Sequence, residues 1–189
     1  GRGGGWIGFS TDGARWRLRT SWSAMTIAIL RTLLRRDIGA VRREVEAYPD
    51  DESLWKPVPG VPNLGGTLAL HIAGNLQHFF GAILAKDGFV RDRDAEFARR
   101  NVARAEILRG LDDAQASVDR TLAQMDNLDL ELPYPELIAK RRVNTGVFLT
   151  HLAVHLGYHL GQLDYHRRAA TKDERGIDAV SVRELPEIA

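Results

Sequence analysis

The chain contains no cysteine. Disulfides, thiolate metal sites and cysteine nucleophiles are therefore excluded, and a transition-metal site can use only imidazole, carboxylate and water. No run approaches the roughly 18 uninterrupted apolar residues that mark a membrane span, so a cytoplasmic protein without a membrane partner is expected. An excess of either charge is also missing, with 26 Lys and Arg against 25 Asp and Glu. From Met25 onward the balance is 22 basic to 24 acidic, which makes nucleic acid an unfavoured partner. Nowhere do apolar and polar residues alternate convincingly, as a half-buried strand requires. Proline is scarce, seven in 189 residues, and it gathers in PDDESLWKPVPGVP (49–62) and around Pro133 and Pro135.

Between those interruptions the chain carries helical patterns. A content of 44% hydrophobic and 27% charged residues suits one globular domain with a sizeable core. Ile27, Leu30, Leu34, Ile38, Val41 and Val45 recur at steps of three and four, predicting a first amphipathic helix that ends before Pro49. After the proline-rich connection, where Trp55 is expected to cap the core, a second helix is predicted from an Asn63 N-cap to a stop at Gly88. Its face is Leu68, Ile72, Leu76, Phe79 and Ile83, with His71 and His78 at the edge. FVRDRDAEFARR (89–100) reads as a charged turn. A third helix carries Ile107, Leu111, Ala114, Val118, Leu122 and Met125 and ends before the two prolines. A fourth begins at an Asn144 or Thr145 cap. These are the helices of an all-α four-helix bundle spanning 25–170, and the long connections after helices 1 and 3 predict that at least one crosses the bundle. Residues 1–24, which hold four arginines and one aspartate, are expected to be a disordered leader or upstream extension, and 171–189 a peripheral tail.

The fourth helix, NTGVFLTHLAVHLGYHLGQLDYHRR, carries His151, His155, His159 and His166, four of the six histidines. At about 100° per residue they form one row. Leu149, Leu152, Leu156 and Leu163 flank it on one side, and Val147, Val154, Tyr158 and Tyr165 on the other. The imidazoles are therefore expected to point inward, and Tyr158 and Tyr165 to pack in the core. Inward imidazoles need partners, because a buried unpaired polar group costs about 1 to 3 kcal/mol, and a metal ion is the natural one. Residues seven apart are separated by about 10.5 Å along a helix, too far for one coordination shell. The intrahelical pair is therefore His151 with His155 or His155 with His159, and the third ligand is His71 or His78. Three histidines leave positions open for water or substrate, the pattern of a catalytic metal. His155-Leu-Gly-Tyr-His159 lacks the adjacent glutamate of the H-E-x-x-H metalloproteases.

The second-helix segment GTLALHIAGNLQHF, together with H-x-x-x-H followed by Gly161-Gln162, resembles the DinB/YfiT-like superfamily of four-helix bundles with a three-histidine metal site. The stretches LWKPVPGVPNLGGTLALHIAGNLQHFFGA and FVRDRDAEF extend the resemblance over most of residues 25–169. It implies His71, His155 and His159 as the ligands, with His78, His151 and His166 accessory. Where many relatives have an arginine after the last ligand, this chain has Leu160. The resemblance further implies a metal-dependent transferase that joins a low-molecular-weight thiol to an electrophilic small molecule, or a hydrolase. Gln162 and Tyr158 stand beside the ligands as a possible orienting group and proton donor. Zinc or nickel, and also iron, cobalt or manganese, suit three imidazoles. The alternative is a non-catalytic, metal-stabilised bundle that binds a small molecule or forms a homodimer. Gly157 and Gly161, with Ala153, would admit a second helix.

Overall fold

The computed structural model describes residues 12–126 and 129–186, with side chains from Thr26 onward. Its elements are α1 (Asp12–Glu46), α2 (Asp51–Leu54), α3 (Gly65–Leu76) running on as a π-helix (Gln77–Ala85), α4 (Arg93–Ala98), α5 (Arg104–Gln124), α6 (Thr145–Thr171) and a 3-10 turn (Val182–Glu184). Among the described residues no strand forms, and only isolated bridges pair the connections. The all-α expectation therefore holds. Residues 1–11 of the expected leader lie outside the described residues. The rest of it falls in α1, so the boundary expected at Met25 lies within a helix. No proline interrupts Asp12–Glu46, and extending a helix that its packed half has nucleated costs far less than starting one.

α1 packs against α5 and α6, and α3 packs against the same two helices. Consecutive long helices α1 and α3 thus stand at diagonal corners, as do α5 and α6. The connections that follow α1 and α5 therefore join diagonal corners. The core is made by the stripes visible in the sequence: Leu34, Ile38, Val41 and Val45 of α1, Leu68, Ile72 and Leu76 of α3, Ile107, Leu111, Val118 and Leu122 of α5, and Leu149, Leu152, Leu156, Leu160 and Leu163 of α6. Gly65–Ala85 is long and apolar enough to cross a membrane by length and composition, but 56% of that window is buried inside the bundle.

Local chemistry corrects several helix ends. Leu64, not Asn63, occupies the N-cap of α3 and makes no side-chain cap bond. The helix stops at Lys86, ahead of Gly88, because Lys86 takes the left-handed conformation (φ 52°) and its N–H closes on Gly81 O. Asn144 does cap α6, accepting from Val147 N at 3.2 Å. The π-helical stretch leaves carbonyls free of the ordinary ladder, and side-chain hydroxyls take two of them. Tyr134 Oη donates to Phe79 O at 2.6 Å and Thr121 Oγ1 to Phe80 O at 2.8 Å.

Trp55 is buried, and its Nε1–H donates to Val102 O at 3.2 Å. The indole lies directly on Gly66, where a Cβ would stand 2.6 Å from Trp55 Cε2. Gly66→Ala should therefore lose about 1 to 3 kcal/mol through overpacking, despite alanine's better helix propensity. A melting temperature equal to or above that of the wild type would refute this account of the Trp55 contact.

A buried polar group ties the far end of α6 to α1. Arg167 Nε donates to Glu44, and Arg167 Nη2 to Arg175 O at 2.8 Å. Beside it in the chain, His166 Nε2 faces Lys56 O at 3.1 Å, and Nδ1 faces Tyr48 Oη at 2.7 Å. A carbonyl only accepts, so Nε2 carries the proton and Nδ1 accepts from the tyrosine. Burial holds this imidazole below its ordinary pKa. His166 is thus a satisfied structural histidine.

Candidate metal centre

Three of the six histidines meet between α3 and α6, at the border of the core. His71 comes from the middle of α3, and His155 and His159 from successive turns of α6. One ring nitrogen from each lies within 4.8 Å of the other two. The ring of His71 stands edge-on to both partners, with centroids 5.4 Å from His155 and 5.0 Å from His159. His155 Nε2 and His159 Nε2 face each other at 3.0 Å. This is the trio that the family resemblance implies, drawn from the sets that helix geometry left open. His151 is exposed, its ring 6.0 Å from that of His155. His78 turns away toward Glu136, at 3.4 Å.

His159 Nδ1 lies 2.7 Å from Gln162 Oε1. With the amide oxygen as acceptor, Nδ1 carries the proton and Nε2 keeps its lone pair for the cluster. His71 Nδ1 lies 2.9 Å from Glu96 Oε2. Glu96 in turn receives Arg91 Nε at 2.6 Å and Nη2 at 2.8 Å. Burial opposes the charge on Glu96, but the bonds from Arg91 and His71 outweigh it and hold the carboxyl below its ordinary range. Phe97 packs on the His71 ring at 5.0 Å between centroids.

The electrostatics favour uncharged imidazoles. Burial, followed by the neighbouring His159, His71 and His151, pushes His155 down to about 4. Burial and His71 also lower His159, against the opposing pull of Gln162. Neutral imidazole is the ligating form, and three imidazole nitrogens without a carboxylate suit a borderline first-row divalent ion. The donor set therefore fits such a metal. Its half-buried His155 and His159 give the cluster an edge toward solvent.

Two expectations about the row need correction. Its second flank is not buried: Val147 is 66% exposed, Val154 67%, Tyr158 63% and Tyr165 74%. Among the described residues no helix packs on that side, so the histidines lie at the border between core and surface. Tyr158 and Tyr165 are consequently not core residues, although the Tyr158 ring stays 5.3 Å from that of His159. Nor, among the described residues, does anything stand within 4 Å of a Cβ placed at Gly157 or Gly161, so these glycines make no close packing with them.

Glu96 and Arg91 do not stand out in the sequence, where 89–100 reads as a charged turn. Their signal was there: Asp92 is an N-cap, accepting from Ala95 N at 2.9 Å, and Asp94 and Glu96 supply acid to the first turn of α4.

A diagonal four-helix bundle with three convergent histidines between its second and fourth long helices is an arrangement in which bundles can build metal sites. The chain belongs to the DinB superfamily, whose family model matches residues 33–163. It is similar in fold to the crystal structure of a DinB-like protein from Bacillus cereus, with a TM-score of 0.59 at 18% identity, over 76% of this chain and 91% of that one. No curated protein matches the chain.

Proposed function

We propose that the chain is a metal-dependent enzyme in which His71, His155 and His159 bind one divalent transition metal, zinc or nickel before iron, cobalt or manganese. The carrying observation is the convergence of three ring nitrogens within 4.8 Å, with no fourth protein ligand among the described residues in that group. A metal held this way supplies Lewis acidity and lowers the pKa of a bound thiol or water. The chemistry we favour is transfer of a low-molecular-weight thiol to an electrophilic small molecule, or hydrolysis. Within the chain, Gln162 orients His159 by accepting from Nδ1. Tyr158, exposed beside His159, is the proton donor best placed for an incoming substrate.

The test is elemental analysis of tag-free protein beside His155→Ala. Near-stoichiometric first-row metal in the wild type and none in the variant is the expected result. If neither retains metal after incubation with zinc, nickel or manganese, the three histidines are a packed polar cluster and the enzyme reading fails.

One observation favours a second reading, a non-catalytic homodimer that the metal stabilises. The uncharged outer face of α6, with Val147, Val154, Tyr158 and Tyr165 exposed around the open Gly157 and Gly161, is suited to a second copy of the same helix. Removing a ligand separates the two readings.

A further inference from the structure

A histidine ligand needs one nitrogen for the metal and a fixed partner for the other, since that partner sets both the tautomer and the ring orientation. His71 has such a partner, and its surroundings are built around it. Glu96 is buried and accepts from His71 Nδ1 on one oxygen. Arg91 grips the same carboxylate through two donors, one to each oxygen, the planar fork that fixes a carboxylate in orientation as well as position. Arg91 Nη2 also lies 3.4 Å from His71 Nδ1, but its shorter bond at 2.8 Å goes to Glu96. A carboxylate so charged only accepts, so the proton between it and the imidazole sits on Nδ1. The space for this arrangement comes from Gly74, one turn beyond His71 in α3. A Cβ there would stand 2.8 Å from Glu96 Cδ and overlap Oε1.

We propose that Glu96 is a positioning residue: fixed by Arg91 and admitted by Gly74, it holds His71 as the Nδ1–H tautomer and so presents Nε2 to the metal. This role rests on the three-histidine centre proposed above. It also gives α4 a purpose, since that short helix is the element that carries Glu96 over the site.

Zinc affinity, measured by competition with a chromophoric chelator, tests the role on the full chain. Glu96→Ala should weaken zinc by roughly 10- to 100-fold, the usual effect of losing such a partner. Glu96→Gln, which keeps an oxygen acceptor, should recover part of the loss. Gly74→Ala is the more telling variant. It leaves every ligand and Glu96 itself in the chain, and displaces only the end of a flexible side chain. It should nevertheless weaken zinc as Glu96→Ala does. In the metal-free protein, nitrogen-15 NMR of the His71 ring should report Nδ1–H in the wild type and lose that single tautomer in both variants, which a purely structural role for Glu96 would not produce. If Glu96→Ala does not fold, Gly74→Ala and the tautomer measurement still decide. Should both variants bind zinc as tightly as the wild type with the tautomer unchanged, Glu96 has no positioning role though the metal centre stands. A wild type that binds no zinc removes the centre itself, and this role with it.

Discussion

His159→Ala is expected to abolish metal retention and turnover while the chelator-treated variant melts within a few degrees of the chelator-treated wild type. The expectation follows from how the metal-free cluster is held. His71 is bonded to Glu96 and His159 to Gln162, so two of the three imidazoles are fixed by protein groups alone. The helices beneath them are packed by Leu152, Leu156, Leu160 and Leu163, all 2% exposed or less. Removing one half-buried imidazole leaves that leucine stripe intact, and a substitution of this kind costs about 1 kcal/mol or less, equivalent to about 2 to 4 °C in a chain of this size. A structural metal predicts something different. Its binding free energy would be part of the folding free energy, so chelation of the wild type and His159→Ala would both lower the melting temperature steeply. If α6 also forms a homodimer that depends on the metal, sedimentation would show both treatments releasing monomers. A wild type that no longer folds once the metal is chelated would overturn the enzyme reading and favour the bundle module.

The fold and the trio could be read in the sequence for the same reason: both rest on helical period. The leucine stripe of α6 and the i, i+4 spacing of His155 and His159 are one-dimensional signals, and a bundle turns them into geometry with little adjustment. Choosing His71 over His78 was not possible from period alone, because both lie at the edge of one helical face. The resemblance pointed to His71, and the π-helical stretch that begins at Gln77 belongs to a part of the chain where His78 faces Glu136 instead. The exposed flank of α6 differs from the sequence expectation because Val147, Val154, Tyr158 and Tyr165 have the composition of a core stripe. Composition reports what a residue can bury, whereas burial depends on whether a helix lies opposite. Glu96 is a different kind of omission. It acts through contacts 25 residues away in sequence, and a six-residue helix has too little period to stand out beside its charged neighbours.

The other large expected effect lies at the far end of α6, in the pair formed by Glu44 and Arg167, which are 0% and 1% exposed at the side chain. Above pH 7, where both members are charged, Glu44→Ala should cost about 3 to 5 kcal/mol, the range for leaving one member of a buried pair unmatched. Asp164 at 3.4 Å and Asp173 at 3.9 Å offer Arg167 only weaker company. Replacing both residues with methionine should recover most of the loss, because the desolvation cost of two buried charges disappears with their attraction. The carboxyl also makes the pair sensitive to pH. Burial, with Asp164 nearby, pushes Glu44 up to about 7 against the opposing pull of Arg167. Between its ordinary value of 4.5 and that raised one, the folded chain binds a proton that the unfolded chain releases. The Glu44 contribution is therefore fully present below about 4.5 and is lost as pH rises through 7. Chemical denaturation at stepped pH should show wild-type stability falling across that window relative to Glu44→Gln, which carries no such proton. A difference between the two that does not change with pH would mean that Glu44 stays ionised and that Arg167 outweighs its burial.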